Sequence, residues 1–264
     1  MGLRHQGRQG ERYRQDPPAS PDLDPSVKRD LASSRLLADR PAWFKAFFVA
    51  GVLGYAVLAE LAHRSAYFGW DVRLELNVQG ITASGFGRFM HWVSAPGTGW
   101  VPLIMVASVG AGFFLARRPI EALILVFGTA IGSGLDALLK MLSDRPRPID
   151  HLVRVMGHFP GDSFPSGHVF FYVEFFGFLL FLLYSARPAP ADSPRQRAKN
   201  GLWRVPAIGL LWALIATIGL SRVYLGAHWP SDTAGAYLGG GLWLVLMIET
   251  YHRLKSRPKS TREP

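Results

Sequence analysis

The sequence predicts an all-α fold, an integral membrane bundle of six transmembrane helices with both termini in the cytoplasm. Two observations predict it. The chain of 264 residues contains six apolar runs of close to 20 residues, and most of its 29 Lys and Arg residues flank one end of those runs. A helix needs about 20 apolar residues to cross the hydrocarbon core of a bilayer. A buried helix of a soluble protein can also lack charge, but it is usually paired with amphipathic helices.

The predicted elements follow one another along the chain in a simple order. Residues 1–40 are rich in charge and proline and have no stretch that could bury an apolar face, so we predict a disordered cytoplasmic tail. A membrane domain over residues 41–250 comes next, and a short basic cytoplasmic tail follows over residues 251–264. The predicted spans are residues 42–62, 98–116, 119–139, 167–186, 205–221 and 233–247. Between the first two spans, residues 63–97 have the mixed polarity of an interfacial helix.

The distribution of basic residues predicts the orientation of the spans. With the N-terminus in the cytoplasm, 21 Lys and Arg residues lie on the cytoplasmic side and 8 on the outer side, in agreement with the positive-inside rule. This topology accounts for most of the net charge of +10. The expected partners are therefore membrane lipids and not nucleic acid. We expect a multi-pass protein of the cell (inner) membrane. The absence of cysteine excludes disulfides, thiolate metal sites and cysteine nucleophiles.

Three short motifs at the outer ends of the spans carry the functional signal. Lys140 and Arg147 follow the third span, Ser166 and Gly167 open the fourth, and Arg222 ends the fifth. A planar guanidinium matches the oxygens of a phosphate group, and a lysine adds a point charge. A serine N-cap followed by glycine lets the first amides of a helix approach an anion. These five residues predict a phosphate-binding site at one depth of the membrane.

Two histidines and an aspartate complete the predicted site. Asp232 follows His228 by four residues, so on a helix its carboxylate would lie beside the imidazole and accept the Nδ1 proton. Nε2 of His228 would then be available as a nucleophile. His168 lies next to the phosphate-binding turn and could protonate a leaving oxygen. An imidazole pKa near 6.5 suits either role.

Each motif taken alone also has a structural interpretation. Lys140 and Arg147 could anchor a helix in the headgroup layer. Ser166 could simply cap a helix. His228 and Asp232 could form a buried structural pair. Their convergence at one predicted depth on the outer side favours a shared site.

In combination, the motifs resemble the three-part signature of the type-2 phosphatidic acid phosphatase family. In chain order they read Lys-x6-Arg-Pro, Pro-Ser-Gly-His and Ser-Arg-x5-His-x3-Asp, within residues 98–249. Every signature position is matched. The dipeptide Arg145–Pro146 has the wrong spacing from Lys140, so Arg147 corresponds to the family arginine.

The resemblance implies a role for each matched residue. His228 would form a phosphohistidine, Asp232 would orient it, and His168 would act as general acid and later activate water. No metal ion or other cofactor is implied. The residues that would bind phosphate are Lys140, Arg147, Ser166, Gly167 and Arg222.

The expected activity is hydrolysis of a lipid phosphate or a polyprenyl diphosphate at the non-cytoplasmic face, with polyprenyl diphosphate favoured. Three alternatives stay open at this point. The same phosphohistidine could pass its phosphoryl group to a lipid or sugar acceptor. The site could bind vanadate for peroxide chemistry, as in related soluble haloperoxidases. The protein could also be a non-enzymatic lipid-binding or transport protein that keeps the headgroup site.

Other ionisable residues receive structural interpretations. Asp136 lies one turn before Lys140 and is expected to pair with it. Glu174, inside the fourth span, is expected to be structural despite its position in the membrane. Four histidines outside the motifs are expected at the surface or the membrane interface, namely His63, His91, His151 and His158.

Overall fold

A computed structural model describes residues 40–185 and 202–256, which form helices joined by loops and contain no strand. The first apolar run forms α1 (Ala42–Arg64). Two shorter helices follow, α2 (Gly69–Gln79) and α3 (Phe86–Ser94), and α3 continues into a 3₁₀ turn over Ala95–Gly97. The remaining helices are α4 (Val101–Leu115), α5 (Pro119–Ser143), α6 (Gly167–Ser185), α7 (Arg204–Tyr224) and α8 (Pro230–Ser256). Each predicted span thus coincides with a helix, and the predicted all-helical class is confirmed.

Four helices, α1, α5, α6 and α7, are long and apolar enough to cross a membrane. A fifth span results if α3 with its 3₁₀ turn and α4 are counted together, although they are bent by 56°. Helix α8 has 27 residues, but Asp232, Glu249 and three consecutive glycines make it less apolar than the others. Six spans and cytoplasmic termini therefore remain a prediction.

Helix α6 lies at the centre of the bundle, where 61% of its most apolar stretch of 18 residues is buried by the other helices. It packs against α5, α7 and α8, and one turn of it, Tyr172–Phe176, is a π-helix. Helix α1 packs mainly on α8, and none of its most apolar window is buried. Large apolar side chains such as Phe47, Leu103 and Phe127 are exposed on the outer helices. Exposed apolar side chains of this kind are expected of a bundle whose outer surface faces lipid chains.

The two ends of the bundle differ. At one end, Glu121 at the start of α5 pairs with Lys255 near the end of α8, at 2.5 Å. Helix α8 runs to Ser256, past the predicted domain boundary at residue 250. The predicted N-terminal tail lies outside the described residues except for Arg40. Of the predicted C-terminal tail, residues 251–256 belong to α8 and residues 257–264 lie outside the described residues.

The other end holds the loops that build the site. Helix α5 ends where Asp144 takes the left-handed conformation, with φ of 46°, and the two prolines that follow prevent the helix from continuing. The loop between α7 and α8 meets the loop between α5 and α6 at Gly226. A Cβ on Gly226 would lie 2.1 Å from the carbonyl oxygen of Arg154, and φ there is +68°, so only glycine fits.

Candidate active site

Six of the eight predicted site residues line one cavity of about 300 Å³ at the loop end of the bundle, and the other two, Ser166 and Asp232, are buried and do not line it. Helices α5, α6 and α7 each supply one side chain, and the two loops supply the others. A short segment after the 3₁₀ turn closes one side. The cavity is lined by Thr98, Gly99, Lys140, Arg147, His158, Phe159, Pro160, Gly167, His168, Arg222 and His228.

His228 is buried and oriented by two contacts. Its Nδ1 lies 2.8 Å from the carbonyl oxygen of Ser163. Because a carbonyl can only accept, Nδ1 carries the proton and Nε2 has the lone pair. Nε2 accepts a hydrogen bond of 3.1 Å from Nη1 of Arg147. Burial, and then the charges of Arg147 and Arg222, hold the pKa of His228 well below 6.5, so the imidazole is neutral at pH 7.

Asp232 does not make the direct bond to His228 that the sequence predicted. Its Oδ2 lies 3.8 Å from Nδ1, and this oxygen instead accepts hydrogen bonds from Oγ of Ser163 at 2.5 Å and the amide of Trp229 at 2.9 Å. Ser163, from the loop between α5 and α6, therefore stands between the carboxylate and the imidazole. Spacing of i and i+4 does not give helical geometry here because His228 precedes the start of α8.

Lys140 borders the cavity in an ion pair with Asp136, as predicted. Its Nζ donates to the two carboxylate oxygens at 2.7 and 2.6 Å and to the carbonyl of Pro165 at 2.6 Å. Gly167 lies against this pair, where a Cβ would be 2.9 Å from Asp136 Oδ2 and 3.3 Å from Lys140 Nζ. Glycine at this position lets the start of α6 approach the ammonium group.

The two arginines approach the cavity from different sides. Arg147 is anchored by Nε to the carbonyl of Gly161 at 2.8 Å and by Nη1 to the carbonyl of Ala227 at 2.7 Å. Arg222 donates from Nη1 to Oγ of Ser94 at 2.6 Å, and its guanidinium carbon lies 5.1 Å from the ring centroid of Phe159. Nε of Arg222 is buried and has no hydrogen-bond partner among the described residues.

The start of α6 differs in detail from the predicted cap. Ser166 occupies the N-cap position, but its side chain makes no capping bond, and its buried Oγ has no partner in the described part of the chain. His168 follows, with Nε2 3.3 Å from Oγ1 of Thr98. The 3₁₀ turn packs directly on this ring, since a Cβ on Gly97 would lie 2.5 Å from Cδ2 of His168.

Sequence reasoning missed the residues behind His228. Arg145, set aside because of its spacing, is fully buried and pairs with Asp232 at 2.5 Å and with Asp71 of α2 at 3.0 Å. Arg145 is the first arginine of the sequence Arg-Pro-Arg-Pro over residues 145–148, and this repeat was the signal that could have drawn attention to it. Asp71 belongs to no motif. His158, expected at the surface, is exposed but also lines the cavity.

Comparisons with known proteins agree with this architecture. Residues 121–256 match the sequence profile of the PAP2 superfamily. Phosphatidylglycerophosphatase B of Bacillus subtilis (strain 168) is 27% identical over 202 residues, which cover 75% of this chain and 91% of that protein. Decaprenylphosphoryl-5-phosphoribose phosphatase of Mycobacterium tuberculosis (strain ATCC 25618 / H37Rv) is 26% identical over 168 residues, 62% of this chain and 77% of that protein.

A solved structure has the same fold. It is the crystal structure of a transmembrane PAP2 type phosphatidylglycerolphosphate phosphatase from Bacillus subtilis, with a TM-score of 0.64 and 22% sequence identity. The alignment covers 81% of this chain and 98% of that one. The helical arrangement described above is therefore that of a known membrane protein fold.

Proposed function

Because the chain belongs to the PAP2 superfamily, we propose that it is a multi-pass membrane phosphatase that hydrolyses a lipid phosphate or a polyprenyl diphosphate through a phosphohistidine at His228. The observation that carries this proposal is the state of His228. A neutral imidazole with its proton on Nδ1 directs the lone pair of Nε2 into a cavity lined by three cationic side chains. That combination is what a phosphoryl-accepting nucleophile requires.

Phosphate binding would use the groups that line or adjoin the cavity. Lys140, Arg147 and Arg222 supply positive charge, which stabilises the equatorial oxygens of the transition state. The unpartnered Nε of Arg222 and Oγ of Ser166 are two buried polar atoms that a phosphate could satisfy. The amide of Gly167, in the first turn of α6, adds a donor at the positive end of a helix dipole.

In the first step, Nε2 of His228 attacks phosphorus. The P–N bond forms as the bond between phosphorus and the leaving oxygen breaks, and that oxygen takes a proton from His168. The N–H of Arg147 that donates to Nε2 has to donate to a phosphate oxygen instead, which frees the lone pair; Arg147 keeps its proton. The phosphorylated imidazole retains its Nδ1 proton, and the Ser163 carbonyl stabilises it.

In the second step, water replaces the lipid. His168, which lost its proton in the first step, removes a proton from the water as the water attacks phosphorus. The P–N bond breaks, inorganic phosphate leaves, and His228 returns to the neutral form. The contact between His168 and Thr98 keeps the ring at the cavity wall during both steps.

The membrane setting supports a lipid substrate at the outer face. Trp92 of α3 and Trp100, which follows the cavity residue Gly99, are exposed, and tryptophan is enriched at the headgroup level of membranes. The predicted topology puts this end of the bundle on the non-cytoplasmic side of the cell membrane. The similar proteins are named for a phosphoglycerolipid substrate and for a sugar phosphate linked to a polyprenyl phosphate, which supports a lipid-linked phosphate as the substrate class.

The test is phosphate release by the purified protein from a panel of lipid phosphates and polyprenyl diphosphates in detergent. We expect His228→Ala to abolish release, while His91→Ala, which removes an exposed histidine on α3, retains full activity. Retained activity in His228→Ala would overturn the phosphohistidine mechanism. If the phosphate group of a labelled substrate is transferred to an added lipid acceptor and no inorganic phosphate forms, the protein is instead a phosphotransferase.

A further inference from the structure

A closed ion network lies on the Nδ1 side of His228, away from the cavity cations. At its centre is Arg145, which has no exposed side-chain surface. Nη1 of Arg145 donates to Asp232 Oδ1 at 2.5 Å, and Nη2 donates to Asp71 Oδ2 at 3.0 Å. Both carboxylates are also fully buried. A buried cation between two buried carboxylates has few other arrangements open to it.

The rest of the guanidinium is also occupied. Nε of Arg145 donates to the carbonyls of Ser65 and Ala66, just after α1. Nη1 also donates to Oγ of Ser231, which donates in turn to Asp71 Oδ2 at 2.8 Å. Asp71 lies in α2, outside the region that matches the superfamily profile. The network thus joins α1, α2 and α8 behind the site.

This network reaches His228 through Ser163. The amide of Ser163 donates to the carbonyl of Arg145 at 2.7 Å, and its Oγ donates to Asp232, which the Arg145 side chain holds. Ser163 is therefore fixed at two points. One is the backbone carbonyl of residue 145, which any residue supplies, and the other is Asp232, which the side chain of Arg145 holds. The carbonyl of Ser163 is the acceptor of the Nδ1 proton of His228, so the position of this carbonyl determines the tautomer and the tilt of the ring.

We propose that Arg145 and Asp71 are positioning residues for His228, which they hold through Asp232 and Ser163. The proposal rests on the function proposed above, because positioning matters only if His228 is the nucleophile. In metal sites, the groups that orient a ligating histidine typically contribute about 10–100-fold to affinity or activity, and we expect an effect of that order here. Without Arg145, the carboxylate of Asp232 would lose its cation. It could then rotate and bond directly to Nδ1 of His228, which now lies 3.8 Å from Oδ2.

The experiment compares Arg145→Lys, Arg145→Met and Asp71→Asn by kcat, KM and the pH dependence of kcat/KM. We expect kcat to fall about 10–100-fold in Arg145→Met and Asp71→Asn, and less in Arg145→Lys, with KM within about threefold of the wild type. KM is preserved because the cavity cations are unchanged. Glu121→Gln is the matched control, since it removes a buried acid from an ion pair at the opposite end of the bundle.

The pH profile separates positioning from a structural role. His228 faces Arg147, Arg222, Lys140 and His168 on the cavity side and Asp232 behind it. If Asp232 turns onto Nδ1 in Arg145→Met, the nearby carboxylate raises the pKa of His228, and the acid limb of kcat/KM moves to higher pH. A purely structural role would lower the yield or the melting temperature and leave the profile of the folded fraction unchanged.

The outcomes are distinct from those for the function itself. If His228→Ala is inactive while Asp71→Asn and Arg145→Lys keep kcat within twofold and an unchanged pH profile, the positioning proposal fails and the proposed function stands. If His228→Ala is active, the proposed function fails. Should Arg145→Met not fold, Asp71→Asn and Arg145→Lys, which keep the size or the charge of the residue that they replace, decide the question.

Discussion

Replacing Gly97 with alanine should lower kcat about 100-fold while leaving the fold intact. A Cβ at this position would lie 2.5 Å from Cδ2, 3.0 Å from Cγ and 3.2 Å from Nε2 of His168. Carbon atoms in contact are normally about 3.5–4.0 Å apart, so the ring has to move by about 1 Å. A displacement of that size in a catalytic group costs about 100-fold in rate, which is about 2.7 kcal/mol of activation free energy.

Initial rates of phosphate release from a lipid phosphate, measured across substrate concentrations, give kcat and KM for this variant. Gly112→Ala is the control, because a Cβ there meets nothing within 4 Å. KM should change little in either variant, since neither substitution contacts the three cations of the cavity. A Gly97→Ala enzyme with a wild-type melting temperature and more than half the wild-type kcat would refute a catalytic role for His168 at this position.

Three further predictions concern stability and pH. Burial, and then the nearby acids, raise the pKa of Glu75 from 4.5 to about 9. At pH 7 the carboxyl group is therefore protonated in the folded protein and ionised in the unfolded chain, which favours unfolding. Because glutamine has no proton to release, Glu75→Gln should stabilise the protein by up to about 3 kcal/mol. The melting temperature of Glu75→Gln should exceed that of the wild type by more at pH 8 than at pH 5. An unchanged melting temperature at both pH values would contradict the raised pKa of Glu75. Gly132→Ala should destabilise by about 1–3 kcal/mol, because its Cβ would lie 1.8 Å from Oε2 of the buried Glu174, whereas Gly134→Ala, with open space, should not. Finally, His228 has to be neutral to attack phosphorus, and its pKa is lowered. The acid limb of kcat/KM, corrected for ionisation of the substrate, should therefore lie below pH 6.5. An acid limb at or above pH 6.5 would contradict the lowered pKa.

The helical framework was largely predictable because it depends on local composition. Each of the six apolar runs became a helix, and the motif spacing singled out side chains that the fold brings to one cavity, such as Lys140, Arg147 and Arg222. Spans are harder to count than helices. The three glycines and the flanking acids of α8 lower its apolar content, and the bend between α3 and α4 makes one span ambiguous.

The geometry behind His228 could not be predicted from spacing. Its acceptor is the carbonyl of Ser163, and any residue can supply a carbonyl, so no side-chain pattern reveals it. Asp71 is 74 residues from Arg145, and their pairing depends on how α2 packs beside α8. An i, i+4 rule applies within a helix, whereas His228 lies before the first residue of α8.

Trapping the phosphorylated enzyme tests directly whether His228 is the nucleophile. The protein would be mixed with a lipid phosphate labelled in its phosphate group, quenched rapidly in alkali, in which a P–N bond survives, and digested for mass spectrometry. If His228 is the nucleophile, the label lies on the peptide that contains His228, is lost on acid treatment, and is absent from His228→Ala. Turnover of the lipid without any labelled peptide, or label on another residue, would contradict it.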